Sequence, residues 1–483
     1  MTSLRLFSTI LAPLLLAISS VTGVAADEKR PNILFILVDD FGARDLSCYG
    51  SDFYETPQMD RLAAEGVRFS QAYVAYPRCV PSRFAILTGK HPAALQKERD
   101  SVHVEPDRDV TFGRAFQDAG YATFYCGKWH LGDGESDPDK VGFDITVAAG
   151  AAGATRSHFA PYDVVKGNGM GEKEAIVGLE DAPEGEYLAD RLTEETMTFI
   201  REHKDGPFLA VLAHYAVHTP IEGKKHLAKH YAEKLTAHPL PEVLFEKESA
   251  GENLLVPNNP TYAAMVESVD NGIGRLLNLL DRLEIADNTI VVLASDHGGL
   301  SSRGGKREVA TSNRPFRAGK GHLYEGGLRV PLIVRWPGHA EKNGVTIATP
   351  VIMTDLFPSF LDMAGLPLRP DAHENGISFA PLLDGKEIDS DRAFFWHNPA
   401  PRPTSTGDWF SSAIRVGNLK LLQFPTEKTT ELYDLDADVG ESRNLAAERP
   451  EDTARLLDQL NQWRTSVGAS TEPRLRKKEQ AEN

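Results

Sequence analysis

The 483 residues are 41% hydrophobic and 25% charged, an ordinary globular balance with ample material for a large core, which excludes a mostly disordered chain. A formal net charge of −17 excludes a general affinity for nucleic acid or anionic surfaces, so an anionic substrate must be drawn by a local patch. The length permits one large domain with an appendage, or two or three smaller ones.

Met1 to Ala26 carries Arg5, an apolar run from Ile10 to Ile18 and small residues ending Val24-Ala25-Ala26. That pattern predicts a secretory signal peptide, too short to span a bilayer, and no cysteine follows the run to accept a lipid. No later segment is apolar enough to cross a membrane, so the mature chain is expected to be exported, periplasmic or secreted. Asn32 to Val38 is a continuous apolar run that stops at Asp39-Asp40, and Thr289 to Ala294 stops in the same way before Asp296-His297. Both read as strands buried on two faces, as in a parallel sheet covered by helices. Phe208 to Ala213 leads similarly towards His218. Ligand sites in such sheets lie beyond the carboxyl ends of the strands, so these elements are expected to converge on one edge.

Between the first two strands, Cys79-Val80-Pro81-Ser82-Arg83 opens a predicted helix. Pro81 suits its first turn and Gly89 its end. Cys79 then sits at a helix N-terminus, where free N–H groups and the dipole favour negative charge. Lys128 and His130, two apart in Gly127-Lys128-Trp129-His130, share a face if that segment is extended. Residues 148–186 and 222–260 have weak periodicity and read as long loops or lids. Tyr262, Val266, Val269, Ile273, Leu276, Leu280 and Leu283 form the apolar stripe of a long core helix. Arg303 to His322 is a basic stretch in which Arg303, Lys306, Arg307, Arg314, Arg317 and Lys320 face only Glu308. It reads either as an anion-attracting patch or as a solvated loop. After Leu383-Asp384-Gly385 come four short strand candidates, around Phe394, Ile414, Leu421 and Leu432, with a tight turn at Gly417-Asn418. A helix carrying Leu456, Leu460, Trp463 and Val467 follows Pro450.

Cys79-x-Pro-Ser-Arg followed by Leu87-Thr88-Gly89 resembles the type I sulfatase signature. So do Asp39-Asp40, Gly127-Lys128-Trp129-His130-Leu131-Gly132, His218-Thr219-Pro220, Ser295-Asp296-His297-Gly298-Gly299 and Gly319-Lys320-Gly321, in the family's order. The resemblance implies an alkaline-phosphatase-like α/β fold. Its large mixed, mostly parallel sheet is flanked by helices and closed by a small C-terminal antiparallel-sheet plus helix subdomain. The expected division is a signal peptide at 1–26, a catalytic domain at 27–388, the C-terminal subdomain at 389–470 and a charged tail at 471–483.

It further implies that a formylglycine-generating enzyme oxidises Cys79 to formylglycine. The hydrate then offers one hydroxyl for attack on sulfur and a second that drives release of sulfate. Asp39, Asp40, position 79, Asp296 and His297 would hold calcium, or magnesium. Relatives often carry Asn where His297, a softer donor, stands. Arg83, one helical turn past Cys79, would hold the hydrate. Lys128 would contact nucleophile and sulfate, and His130 would act as base in the release step. His218 and Lys320 would bind sulfate and assist the leaving oxygen. His322, Arg314 and Trp396-His397-Asn398 are candidates for reading a sugar. With Cys79 oxidised, Cys48 and Cys126 remain either as a disulfide or as two free thiols. The C-terminal blocks look most like bacterial polysaccharide sulfatases, so the expected substrate is a sulfated glycan of galactose or N-acetylgalactosamine type. The alternatives are a formylglycine-dependent phosphonate or phosphodiester hydrolase, and a sulfoglycan-binding protein whose cysteine is never matured.

Overall fold

The computed structural model describes residues 30–95, 102–165, 173–237, 240–339, 342–389 and 391–475. The signal-peptide reading of residues 1–26 and the end of the tail lie outside them. An eight-stranded sheet runs in the order Thr346–Ile347, Val67–Phe69, Leu332–Arg335, Thr289–Ser295, Asn32–Val38, Phe208–Ala213, Ala122–Gly127, Ile145–Val147. Only Leu332–Arg335 runs against the others, which makes the sheet mixed but mostly parallel.

The unbroken apolar runs follow from burial on both faces. Ile33, Phe35 and Leu37 enter one core, beneath helices Cys79–Thr88, Phe112–Asp118 and Leu356–Met363. Leu34, Ile36 and Val38 enter the other, beneath Pro57–Ala64, Leu188–His203 and Pro260–Arg282. Each such side chain, fully covered, contributes about 1.5–3 kcal/mol. The predicted long helix is Pro260–Arg282. Pro260 stands at its first position, and the Asn259 side chain accepts the N–H groups of Thr261 and Tyr262.

The expectation of long loops at 148–186 and 222–260 is corrected. The first contains strands Asp163–Val165 and Lys173–Ala175, paired as a hairpin, and the second contains helix Lys225–Thr236 and hairpin Phe245–Glu248/Gly251–Leu254. Only Tyr231 of that helix is fully buried, too little apolar pattern for a periodicity reading. Cys48 and Cys126 are free thiols. Cys126 points at the Leu192 carbonyl, while the Cys48 N–H donates to Asp60.

The four C-terminal strands are Phe394–Asn398, Ser411–Val416, Leu419–Phe424 and Thr429–Asp434, all antiparallel. Val416 pairs with Leu419 across the predicted two-residue turn, with Gly417 at φ +58°. One face packs on helix Pro450–Val467 through Ile414, Leu421, Leu432, Leu456 and Leu460. The opposite face sends Trp396, Ala413 and Leu422 into the core beneath the large sheet, so the two parts share hydrophobic packing. They also share a buried ionic knot. The Lys420 ammonium lies 2.9 Å from Glu325 Oε1 and 2.8 Å from Glu441 Oε1, and none of the three side chains is exposed. Among the described residues no helix is long and apolar enough to cross a membrane.

Removing one partner of a buried ion cluster leaves the others uncompensated, which costs about 3–5 kcal/mol. Lys420→Met is therefore expected to lower the unfolding free energy by that amount, read as an earlier urea midpoint. Lys386→Met removes an exposed pair with Asp384 and is expected to cost at most ~1 kcal/mol. Equal midpoints for the two variants would contradict this account of the junction.

Candidate active site

The parallel strands end in register, with Val38 opposite Ser295, and Leu37 and Gly127 both opposite Ala213. The residues that follow, Asp39, Asp296 and Lys128, therefore emerge at one level. All three are fully buried. Asp40 has φ +60°, a left-handed conformation that costs a non-glycine residue ~1–2 kcal/mol, and its N–H donates to Asp296 Oδ1 at 3.2 Å.

Cys79 is the first residue of helix Cys79–Thr88, as its sequence predicted. Gly89 closes that helix at φ +66°, where a side chain would also strike His373. The thiol faces His297 Nε2 at 3.2 Å and the Lys320 ammonium at 3.8 Å. Burial by itself would raise its pKa, but Lys128 and then Lys320 hold it well below the ordinary thiol range. Arg83, on the same helix, donates from Nε to Asp296 Oδ2 at 2.9 Å and from Nη1 to the Lys128 carbonyl at 2.8 Å. It thereby ties the helix to two strand ends.

Two lysines expected to meet sulfate instead pair with carboxylates. Lys128 binds Asp39 Oδ2, and Lys320 binds Asp40 Oδ1 at 2.5 Å. Burial opposes ionisation of both acids. Lys128 and His218 nevertheless hold Asp39 far below the usual carboxylate range, as Lys320, His218 and His297 do for Asp40. Burial, then Asp39, pushes the Asp296 carboxyl upward.

Asp39, Asp40, Cys79 and His297 offer ligand atoms that all lie within 4.8 Å of one another. Asp39 Oδ1 and Asp40 Oδ2 are buried without a hydrogen-bond partner. The His297 ring is oriented by Nδ1, which is 3.1 Å from the Gly298 carbonyl, and this turns Nε2 towards the cluster. Two carboxylates, an imidazole and position 79 fit a divalent cation that prefers oxygen. Asp296, the remaining expected ligand, stands beside this group with Oδ1 on the Asp40 N–H and Oδ2 on Arg83, and its Oδ1 is 3.6 Å from His297 Nε2.

The expectation that His130 shares a strand face with Lys128 is corrected, because the strand ends at Gly127 and His130 adopts φ +61°. The turn still leaves its ring close enough to Cys79 for the two to interact electrostatically, with Nδ1 buried and without a hydrogen-bond partner. The His130 N–H donates to the Gly150 carbonyl. A Cβ on Gly153 would fall 2.1 Å from the His130 ring, so the missing side chain at Gly153 leaves the room that imidazole occupies in this Gly/Ala-rich segment. Its composition was visible in the sequence, but its contact with His130 was not.

His218 is largely buried, with Nε2 3.9 Å from Asp40 Oδ2 and Nδ1 2.8 Å from the Thr219 carbonyl. Burial and then Lys320 lower its pKa to about 4, so it is neutral at neutral pH before an anion arrives. The basic stretch is largely neutralised: Arg303 pairs with Glu252, Arg314 with Glu246, and Arg317 with Glu248. Their acidic partners lie in the hairpin that sequence periodicity missed. His322 is buried against the Thr406 carbonyl at 3.0 Å. Trp396 Nε1 donates to the Val74 carbonyl, and His397 meets Ser412 Oγ at 2.9 Å.

Residues 31–366 match the Sulfatase family, and residues 318–466 match a family described as N-sulphoglucosamine sulphohydrolase, C-terminal. The chain is similar to steryl-sulfatase of Mus musculus, 30% identical over 93% of this chain and 85% of the relative. It is also similar to N-acetylgalactosamine-6-O-sulfatase of Bacteroides thetaiotaomicron, 27% identical over 94% of this chain and 99% of the relative. Of the solved structures, Ps i-CgsB in complex with k-i-k-neocarrahexaose matches with a TM-score of 0.74 at 26% identity, covering 94% of this chain and 96% of that one.

A ligand that binds only the folded state stabilises it by about 2.7 kcal/mol at a hundredfold excess over its Kd. Calcium added to chelator-treated protein is accordingly expected to raise the melting temperature by a few degrees, and Asp40→Asn to abolish most of that shift. An unchanged melting temperature on adding calcium or magnesium would remove the cation from this site.

Proposed function

The chain belongs to the sulfatase family, and on that premise we propose that it is an exported enzyme that removes sulfate from a sulfated glycan of galactose or N-acetylgalactosamine type. The observation that carries the reading is the surroundings of Cys79. One helix N-terminus presents residue 79 to Lys128, Lys320, His130 and His297, beneath a wall of buried carboxylates. The names of two similar proteins support a saccharide, one being an N-acetylgalactosamine-6-O-sulfatase and the other a structure holding k-i-k-neocarrahexaose. Export rests on the N-terminal sequence pattern.

Cys79 is matured to formylglycine in this reading, and the hydrated aldehyde supplies a nucleophilic hydroxyl together with a second one for release of sulfate. A calcium or magnesium ion held by Asp39, Asp40, His297 and residue 79 supplies charge neutralisation and a lowered hydroxyl pKa. Asp296 keeps Arg83 and the backbone of Asp40 in place. Lys128 and Lys320 aim positive charge at position 79, where an anionic sulfuryl group must approach. His130, whose buried Nδ1 has no other hydrogen-bond partner, takes a proton from residue 79, in a protonation state suited to a base because burial lowers its pKa. Lys320 and His218 meet at Asp40 and serve the departing oxygen. An arriving anion favours protonation of His218.

Trypsin cleavage after Arg78 and Arg83 is expected to release Cys79-Val80-Pro81-Ser82-Arg83 with hydrogen sulfide lost and oxygen gained, and Cys79→Ala is expected to be inactive. An alkylatable thiol at residue 79 in fully active protein would overturn the maturation reading. Acid assistance is worth roughly 10²–10⁴-fold when the leaving group needs a proton and little when it does not. Lys320→Ala and His218→Ala are therefore expected to lose far more rate on a sugar sulfate than on an aryl sulfate. Equal losses on both esters would leave these residues with sulfate binding alone.

A further inference from the structure

The loop between the first two C-terminal strands, residues 399–410, does not carry any residue of the cluster just described, yet it reaches the two segments on which that cluster depends. Asp408 is fully buried and takes Arg78 Nη2 on both oxygens, at 2.6 and 2.7 Å. Arg78 immediately precedes Cys79, at the N-cap position of its helix and without a side-chain capping bond, and its side chain is 95% buried. Asp408 also accepts Asn398 Nδ2 at 2.9 Å and the Thr406 hydroxyl. Asn398 in turn donates to the Gly321 carbonyl at 3.1 Å and accepts the Tyr76 hydroxyl at 2.8 Å. From the other side, the Gly321 N–H donates to the Pro77 carbonyl at 2.9 Å.

Gly321 is therefore clasped between the segment that leads into Cys79 and the C-terminal loop. It sits at φ +96°, and a Cβ there would lie 2.7 Å from Arg78 Nη2, 2.8 Å from Asp408 Oδ1 and 2.9 Å from Thr406 Oγ1. The residue before it is Lys320, whose ammonium is 3.8 Å from Cys79 Sγ. Gly321 is thus anchored through its N–H to Pro77, the neighbour of Arg78, and through its carbonyl to Asn398, which Asp408 holds, and these anchors constrain where Lys320 stands relative to residue 79.

We propose that Asp408 is a positioning residue for Lys320: by binding Arg78 and Asn398 together it holds the Lys320-Gly321 turn in register with residue 79. The C-terminal subdomain thereby takes part in the chemistry without touching the reacting atoms. The inference rests on the leaving-group role assigned to Lys320. A buried charge pair suits the task, since a charge-assisted contact of one guanidinium nitrogen, Nη2, with both carboxylate oxygens is short and stronger than a neutral hydrogen bond. A displacement of about 1 Å in a reacting group can cost roughly 10²-fold in rate.

The test is a double-mutant cycle on fully matured protein, with rates normalised to the formylglycine fraction at residue 79. Asp408→Asn is expected to lower kcat on a sugar sulfate by about 10- to 100-fold, to leave KM within about twofold, and to cost much less on an aryl sulfate. Asp408→Asn combined with Lys320→Ala is expected to be no slower than Lys320→Ala alone. Asp408→Glu, which retains the charge, is expected to recover part of the loss and serves in place of Asp408→Asn should that variant fail to fold. If the losses of the two single variants multiply in the double variant, Asp408 does not act through Lys320 and the proposal fails. If Lys320→Ala itself shows no leaving-group dependence, the role of Lys320 is what fails, and multiplicative or non-multiplicative losses still decide the coupling.

Discussion

Three carboxylates, Asp39, Asp40 and Asp296, are crowded together in the dry interior at the ends of two neighbouring strands. Taking each charge out of water costs several kcal/mol, and each repels the next. The arrangement stands because cations come to it from every direction: Lys128 from a third strand end, Arg83 from the Cys79 helix, and Lys320 from a distant loop. Burial raises the His297 pKa problem in the opposite sense, since desolvation disfavours its cation, yet Asp296, the thiol and Asp40 lift it to about 9.

That electrostatic demand explains why so much of the fold is committed to one edge. The strands that end at Val38, Ser295, Gly127 and Ala213 are paired so that their ends coincide. The sheet gains its stability from apolar burial on both faces and is therefore rigid enough to hold like charges together. The backbone absorbs the remaining geometry at Asp40 and His130, both left-handed and both at the cluster.

The smaller sheet completes the arrangement. Trp396, Ala413 and Leu422 enter the large core, and Lys420 satisfies Glu325 and Glu441, so the two parts form one folding structure. The match of residues 318–466 to a C-terminal family begins two residues before Lys320, within the part that also supplies the cluster. Chain division and chemical division thus differ. The Lys320 turn belongs by contact to both parts, through Pro77 on one side and Asn398 on the other.

Apolar runs ending at Asp39-Asp40 and at Ser295-Asp296-His297 placed these residues at strand ends, and the Cys79 to Gly89 stretch marked a helix start and stop, because each of these is a local pattern with a local physical cause. The long core helix and the Gly417-Asn418 hairpin were legible for the same reason. Helix Lys225–Thr236 and hairpin Phe245–Glu248/Gly251–Leu254 were not, since they bury little and carry no clear period. Nor were the pairings of Arg303, Arg314 and Arg317, whose acidic partners lie 51 to 69 residues away. The turn that points His130 at residue 79, the space left by Gly153 and the Arg78–Asp408 pair across 330 residues were decided only by the tertiary structure. The sequence by itself determined which groups are candidates for the chemistry, because reactivity resides in side-chain type and motif; their distances depend on packing between elements remote in the chain, and no local pattern records that.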